Sequence, residues 1–284
     1  MPAEPPVESP RTLDEALSLL AGGHGWRPLA GGTDLLVQIT GELAPAPERV
    51  LDIWRLDELR GIAVDDDAVV IGALTTYAEI RRSEVCQELL PALGEAAATI
   101  GAAQIQNRGT IGGNVVNASP AGDTLPLLLA TDSQIALGSA RGERIVPAAQ
   151  FWTGYRETAR ADDELVLRVR IPLRPGRQVR FRKVGTRRAQ AISKVLMALA
   201  WREDGGVWRD VRLALGSVAE RPIRVAGTEG VLEGAAPRRS TADHAAATLA
   251  SEISPIDDVR STADYRRVVS ARVLHRLLRE EGGW

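Results

Sequence analysis

Apolar residues first recur at helical spacing as Leu13, Ala16, Leu17 and Leu20. They follow Thr12-Leu13-Asp14-Glu15, a capping box in which the Thr12 hydroxyl and the Glu15 carboxylate satisfy reciprocal amides, so a short helix ending at Gly22-Gly23 is expected. Trp26-Arg27-Pro28-Leu29-Ala30 reads as a strand that runs into Gly31-Gly32-Thr33-Asp34 and a new helix bearing Leu35, Leu36, Val37 and Ile39. Strand patterns follow at 49–53, 61–64 and 68–71, the last two joined by the acidic turn Asp65-Asp66-Asp67. Helices are expected over 77–81, 91–100 and 125–130, and a strand over 134–137. Residues 172–176 read as a linker, after which strands at 193–200 and 211–215 precede helices near 223–232, 242–253 and 264–280. The layout is mixed α+β, with a smaller second part expected to fold separately, and it carries no fixed-period repeat.

Composition narrows the function. A chain of 284 residues, 44% hydrophobic and 25% charged, holds one large or two modest domains. Its net charge of -2 and pI near 6.0 lack the basicity that nucleic-acid binding requires. Residues 1–10 are rich in proline and acid, unlike a signal peptide, and no 18-residue apolar run follows; a cytoplasmic protein without a membrane span is expected. The single cysteine, Cys86, can form no internal disulfide and hold no cluster, which takes about four thiolates. His24, His244 and His275 lack metal-ligand spacing, so no metal site is expected. Every charged residue from Arg168 to Arg188 is basic, which suits a solvated face, an interface to acidic partners or a phosphate site.

Two segments carry chemistry. In the first, Ala30, Gly31, Gly32, Thr33, Asp34 and Leu35 place paired glycines between a strand and a helix, where uncovered amides and the Thr33 hydroxyl can cradle a pyrophosphate. A tight turn capped by Thr33 or Asp34 is the plainer reading. In the second, Thr110, Ile111, Gly112, Gly113, Asn114, Asn117, Ser119 and Asp123 again pair glycines and add short hydrogen-bonding side chains suited to a long polyhydroxylated ligand. An irregular loop that satisfies its own backbone is the alternative there. Neither segment has Rossmann or P-loop spacing.

These segments, about 80 residues apart, resemble the paired FAD motifs of the flavoprotein subunits of molybdenum hydroxylases, the xanthine dehydrogenase and carbon monoxide dehydrogenase family. Ile71-Gly72-Ala73-Leu74-Thr75, Phe151-Trp152-Thr153-Gly154-Tyr155-Arg156, Glu164-Leu165-Val166 and Phe181-Arg182-Lys183-Val184-Gly185-Thr186-Arg187 extend the resemblance almost end to end. It implies a two-lobed, vanillyl-alcohol-oxidase-like (PCMH-type) FAD-binding domain over 1–174, with lobes of about 1–57 and 58–174, and a smaller C-terminal α/β domain over 175–284. FAD would lie between the lobes, with Asp123 on its ribityl or ribose hydroxyls, Ile100 and Val166 as apolar contacts to the isoalloxazine and Lys183 as a basic residue near the flavin.

The resemblance also implies a division of labour. A large partner carries the molybdenum cofactor, a small partner carries 2Fe-2S clusters, and this chain takes electrons on FAD for NAD+ or another acceptor, with no catalytic side chain of its own. Purines lead as the substrate of the complex. A self-contained flavin oxidoreductase and a non-catalytic assembly subunit are the alternatives.

Overall fold

The computed structural model describes residues 5–43, 45–187 and 190–284; Arg188 of the basic run and residues 1–4 lie outside them. The N-terminal lobe is a three-stranded parallel sheet in the order Val7–Glu8, Arg49–Asp52, Trp26–Leu29. Helix Leu13–Ala21 buries Ala16, Leu17 and Leu20 beside it, and Glu15 accepts from the Arg11 amide while its own amide donates to Thr12.

The second lobe is built on a five-stranded antiparallel sheet in the order Ile62–Asp65, Ala68–Gly72, Leu165–Pro172, Gln134–Ser139, Gly142–Pro147. Its central strand, Leu165–Pro172, alternates arginine with apolar residues, the period of a strand with one face in the core. Helices Tyr77–Arg82, Pro91–Ala98, Ile111–Asn117 and Leu125–Ala130 cover that core. Thr76 caps Tyr77–Arg82 through a complete capping box.

The C-terminal sheet is antiparallel, Arg177–Val184, Val195–Asp204, Val207–Gly216, Ile223–Arg224, with helices Ala226–Leu232, Arg239–Glu252 and Ala263–Gly282. Where one helix is expected near 223–232, a short edge strand comes first. This sheet does not stand apart from the rest. Val195, Met197, Leu199 and Trp201 pack towards the C-terminal helices, while Leu196, Ala198 and Ala200 join the core of the second lobe. Burial on both faces explains the unbroken apolar run in that strand, and alanines on the inner face admit the lobe's helices closely.

The basic run is not a bare solvated face. Arg168 pairs with Glu143 at 2.5 Å, Arg170 with Asp67 at 2.5 Å, Arg180 with Glu281 at 2.6 Å and Arg182 with Glu280 at 2.8 Å. Arg174 and Arg177 both reach Asp132 and Asp210, tying the connection after Pro172 to both parts of the chain.

Candidate functional site

A cleft open to solvent, with a cavity volume of about 200 Å³, runs between the N-terminal lobe and the second lobe. Both glycine segments face it. Ala30, Gly31, Gly32, Thr33, Asp34 and Leu35 form one wall; Thr110, Gly112, Gly113, Asn114 and Asn117 form the other, with Ile100 and Val166 also on its lining.

The first segment is a turn held open. Gly32 has φ +76°, a left-handed conformation that disfavours a side chain. Gly31 packs so tightly that a Cβ there would lie 1.7 Å from the Arg108 carbonyl oxygen, and Arg108 Nε donates to the Gly31 carbonyl at 3.3 Å. The guanidinium of Arg108 stacks 3.8 Å over Trp54, which fixes it in place. The amides of Gly32, Thr33 and Asp34 donate to no group among the described residues. Asp34 occupies the cap position of helix Leu35–Thr40 without a capping bond; its carboxylate instead accepts from Gln38 and, at 3.2 Å, from Asn117 Nδ2.

The second segment differs from the loop its composition suggests: Ile111–Asn117 is a helix capped by Thr110, whose Oγ1 accepts from the Gly113 amide at 3.1 Å. Glycine and asparagine are poor helix formers, and tertiary contacts override them here. The Ile111 and Gly112 amides donate to the Thr75 and Ala73 carbonyls at 3.1 and 2.9 Å. Trp152 Nε1 donates to the Val115 carbonyl at 3.0 Å. A Cβ on Gly112 would meet Ala73 at 2.6 Å, whereas one on Gly113 would meet only Thr110 Oγ1, at 2.9 Å, and otherwise enter the cleft. Asn117 Oδ1 accepts from Arg156 at 2.7 Å and Asn114 Oδ1 from Thr124 at 2.7 Å.

Four expected site residues are not on the cleft lining. Ile111 is fully buried in the core, and Ser119, off the lining, accepts from the Ala121 amide. Asp123 and Lys183 lie off the lining and pair with each other, Lys183 Nζ to Asp123 Oδ2 at 2.6 Å, with a second bond from Lys183 to the Thr99 carbonyl at 3.0 Å. The Asp123 carboxyl is pushed up to about 6 by burial, against the pull of Lys183 and Thr99, and its Oδ1 has no hydrogen-bond partner among the described residues. Sequence reasoning did not single out Tyr77, Ile105 or Arg160, which line the cleft with Glu164. Tyr77 carries no local signal, being one apolar residue in a helix, while Arg160 is marked only by its nearness to the Glu164-Leu165-Val166 stretch. The buried Glu164 is held below the usual carboxylate range by Arg144, whose Nε lies 2.6 Å away.

The donor set fits an extended dinucleotide flavin. Three unpartnered amides and the Thr33 hydroxyl suit an anionic bridge, and Gly113 leaves space that any side chain would fill. Among the described residues no cluster of metal ligands occurs and no helix is long and apolar enough to cross a membrane.

Residues 4–174 match the family described as the FAD binding domain in molybdopterin dehydrogenase, and residues 180–281 the CO dehydrogenase flavoprotein C-terminal domain. The chain belongs to the FAD-binding medium subunits of the molybdenum hydroxylases. It is 36% identical to the glyceraldehyde dehydrogenase medium chain of Sulfolobus acidocaldarius, covering 91% of each chain. It is 31% identical to the xanthine dehydrogenase FAD-binding subunit of Escherichia coli, over 96% of this chain and 95% of that one. A chain of the carbon monoxide dehydrogenase of Hydrogenophaga pseudoflava superposes with a TM-score of 0.93 at 32% identity, over 97% of this chain and 96% of that chain. The mixed α/β architecture of an FAD-binding domain followed by a C-terminal domain is thus the architecture of these medium subunits.

Proposed function

We propose that this medium subunit holds FAD in the interlobe cleft and serves as an electron-transfer station between a 2Fe-2S partner and NAD+, in a complex whose molybdenum cofactor sits on a large partner. When bound, FAD supplies a redox centre able to take up electrons and pass them to an acceptor. The carrying observation is the pairing of the two glycine segments across one cleft, with free amides on one wall and the open face of Gly113 on the other. Gly32, Thr33 and Asp34 would bind the pyrophosphate, Gly113 and Asn114 would border it, and Ile100 and Val166 would exclude water from the ends of the cofactor. The domain division at 174/175 is part of this reading.

The cleft itself argues for electron transfer rather than substrate chemistry. Its two carboxylates are committed, Asp34 to Gln38 and Asn117 and Glu164 to Arg144, so neither is placed as a free general base. Xanthine or a related purine is the substrate we propose for the complex, on the xanthine dehydrogenase relative; the 36% identity to a glyceraldehyde dehydrogenase subunit favours an aldehyde as the second reading. The test is a visible spectrum of the purified chain with the released flavin identified, then isolation of the native complex and assays with xanthine and glyceraldehyde, each with NAD+. One FAD per chain supports the cofactor reading and no flavin overturns it; the assays decide between the substrates.

A further inference from the structure

Helix Pro91–Ala98 ends in a turn, 99–101, whose middle residue Ile100 lines the cleft. The last carbonyls of a helix have no partner within it and need outside donors. Here the carbonyl of Ala98 and those of the two residues after it are met by side chains from outside the helix. Gln106 Nε2 donates to the Ala98 carbonyl at 3.3 Å and to the Ile100 carbonyl at 3.0 Å, and Lys183 Nζ donates to the Thr99 carbonyl between them at 3.0 Å.

The Gln106 amide is only 5% exposed and its orientation is forced. Its Oε1 accepts from Arg81 Nη1 at 2.5 Å. Turned over, the amide would set its oxygen against two carbonyl oxygens and its NH2 against a guanidinium, so Arg81 holds Gln106 in the one orientation that serves the turn. Gly101, at φ +51° and with Ile105 side-chain atoms 2.7 to 2.9 Å from where its Cβ would be, completes a turn with little freedom to move.

We propose that Gln106 and Arg81 are positioning residues for the cofactor: they hold the 99–101 turn, and with it Ile100, as a fixed wall of the cleft, together with the bond that Lys183 makes to it from the C-terminal sheet. The inference rests on the FAD reading above. Neither residue lines the cleft, so each acts through the turn rather than by contact.

The experiment reconstitutes the full chain with FAD and measures the FAD dissociation rate, the visible circular dichroism of the bound flavin and the melting of the FAD-free protein. Gln106→Leu removes both donors and the acceptor. Gln106→Glu keeps the bond to Arg81 but turns an acceptor towards the two carbonyls. Arg81→Met frees the amide to turn, and Gln104→Leu, an exposed change on the short helix Ala103–Gln106, is the control. Both Gln106 variants are expected to release FAD about tenfold faster and alter the flavin dichroism, Arg81→Met about threefold faster, and Gln104→Leu at the wild-type rate. Should Gln106→Leu not fold, Gln106→Glu and Arg81→Met carry the test. Dissociation within twofold of wild type and unchanged dichroism in the variants that fold would overturn the positioning role while leaving the FAD reading intact. Failure of the wild type itself to bind FAD would instead sink the FAD reading, and this proposal with it.

Discussion

Gly31 and Arg108, 77 positions apart, meet so closely that a single added methyl on Gly31 would sit 1.7 Å from the Arg108 carbonyl oxygen. This contact brings the first glycine turn against the residues that lead into the second. Backbone lies on both sides, so no side chain can move aside to make room. Gly31→Ala is therefore expected to force the lobes apart and cut FAD affinity at least a hundredfold, with a lower melting temperature for the FAD-free chain. Flavin fluorescence titration and thermal melting check both.

Gly113 provides the contrast. It lies within a helix at an ordinary φ, and an added Cβ meets only Thr110 Oγ1, at 2.9 Å. A branched side chain there is excluded by the space it would fill and not by backbone angle. Gly113→Ala should leave the FAD-free protein within about 1 kcal/mol of wild type, since alanine favours helix over glycine by a similar amount, yet weaken FAD binding at least tenfold. Equal losses in apo stability and FAD affinity would refute the assignment of this face to the cofactor.

Asp123 and Lys183 form a mostly buried pair between the second lobe and the C-terminal sheet. Removing one partner of such a pair leaves an uncompensated charge, at a cost of about 3 kcal/mol. Asp123→Ala is expected to lower stability by that order in urea unfolding, and Asp123→Ala with Lys183→Met to recover part of the loss. If Asp123 touched only cofactor, the single variant would weaken FAD binding and leave FAD-free stability unchanged.

The same carboxyl sets a pH response. Burial raises its folded value from 3.8 to about 6. A raised acid holds its proton more tightly folded than unfolded, so its contribution is full below about pH 4 and is lost as pH rises through about 6. Wild type should therefore show a component of stability, on the order of 2 kcal/mol, that grows from pH 7 towards pH 4. Asp123→Asn should lack it. Unfolding curves for the two proteins at pH 4.5, 6 and 7.5 make the comparison; parallel pH profiles would contradict it.

Cys86 is fully buried within helix Glu84–Leu89, and burial pushes its thiol up. It should resist iodoacetamide in the native chain and react stoichiometrically once the chain is unfolded, as mass spectrometry of the intact protein will show.

Much of the local structure was legible from residues alone. The Thr12 cap, the strand, turn and helix around Gly31-Gly32, and the apolar helix Leu125–Ala130 follow from short-range rules, because caps, turns and helical periodicity are decided within a few residues, although the expected Thr12 capping box forms only by half, Glu15 accepting from the Arg11 amide in place of the Thr12 one. The pairing of glycines in both segments was also legible as a candidate phosphate cradle, beside the plainer readings of a capped turn and an irregular loop. Strands Leu165–Pro172 and Arg177–Val184 were hidden by their arginines: read as a charge run they suggested surface, while their alternation with apolar residues was the strand signal.

Tertiary structure alone decided the rest. It made Ile111–Asn117 a helix against its propensities, because the Ala73 and Thr75 carbonyls and the Trp152 indole hold its backbone from outside. It withdrew Asp123 and Lys183 from the cleft lining by pairing them, and it placed Gln106 on the carbonyls behind Ile100. These contacts join residues up to 84 positions apart. Their partners are chosen by how the sheets and helices pack. Sequence spacing carries the chemistry of each group but not the distance between groups, and in this protein those distances separate the residues that line the cleft from those packed behind it.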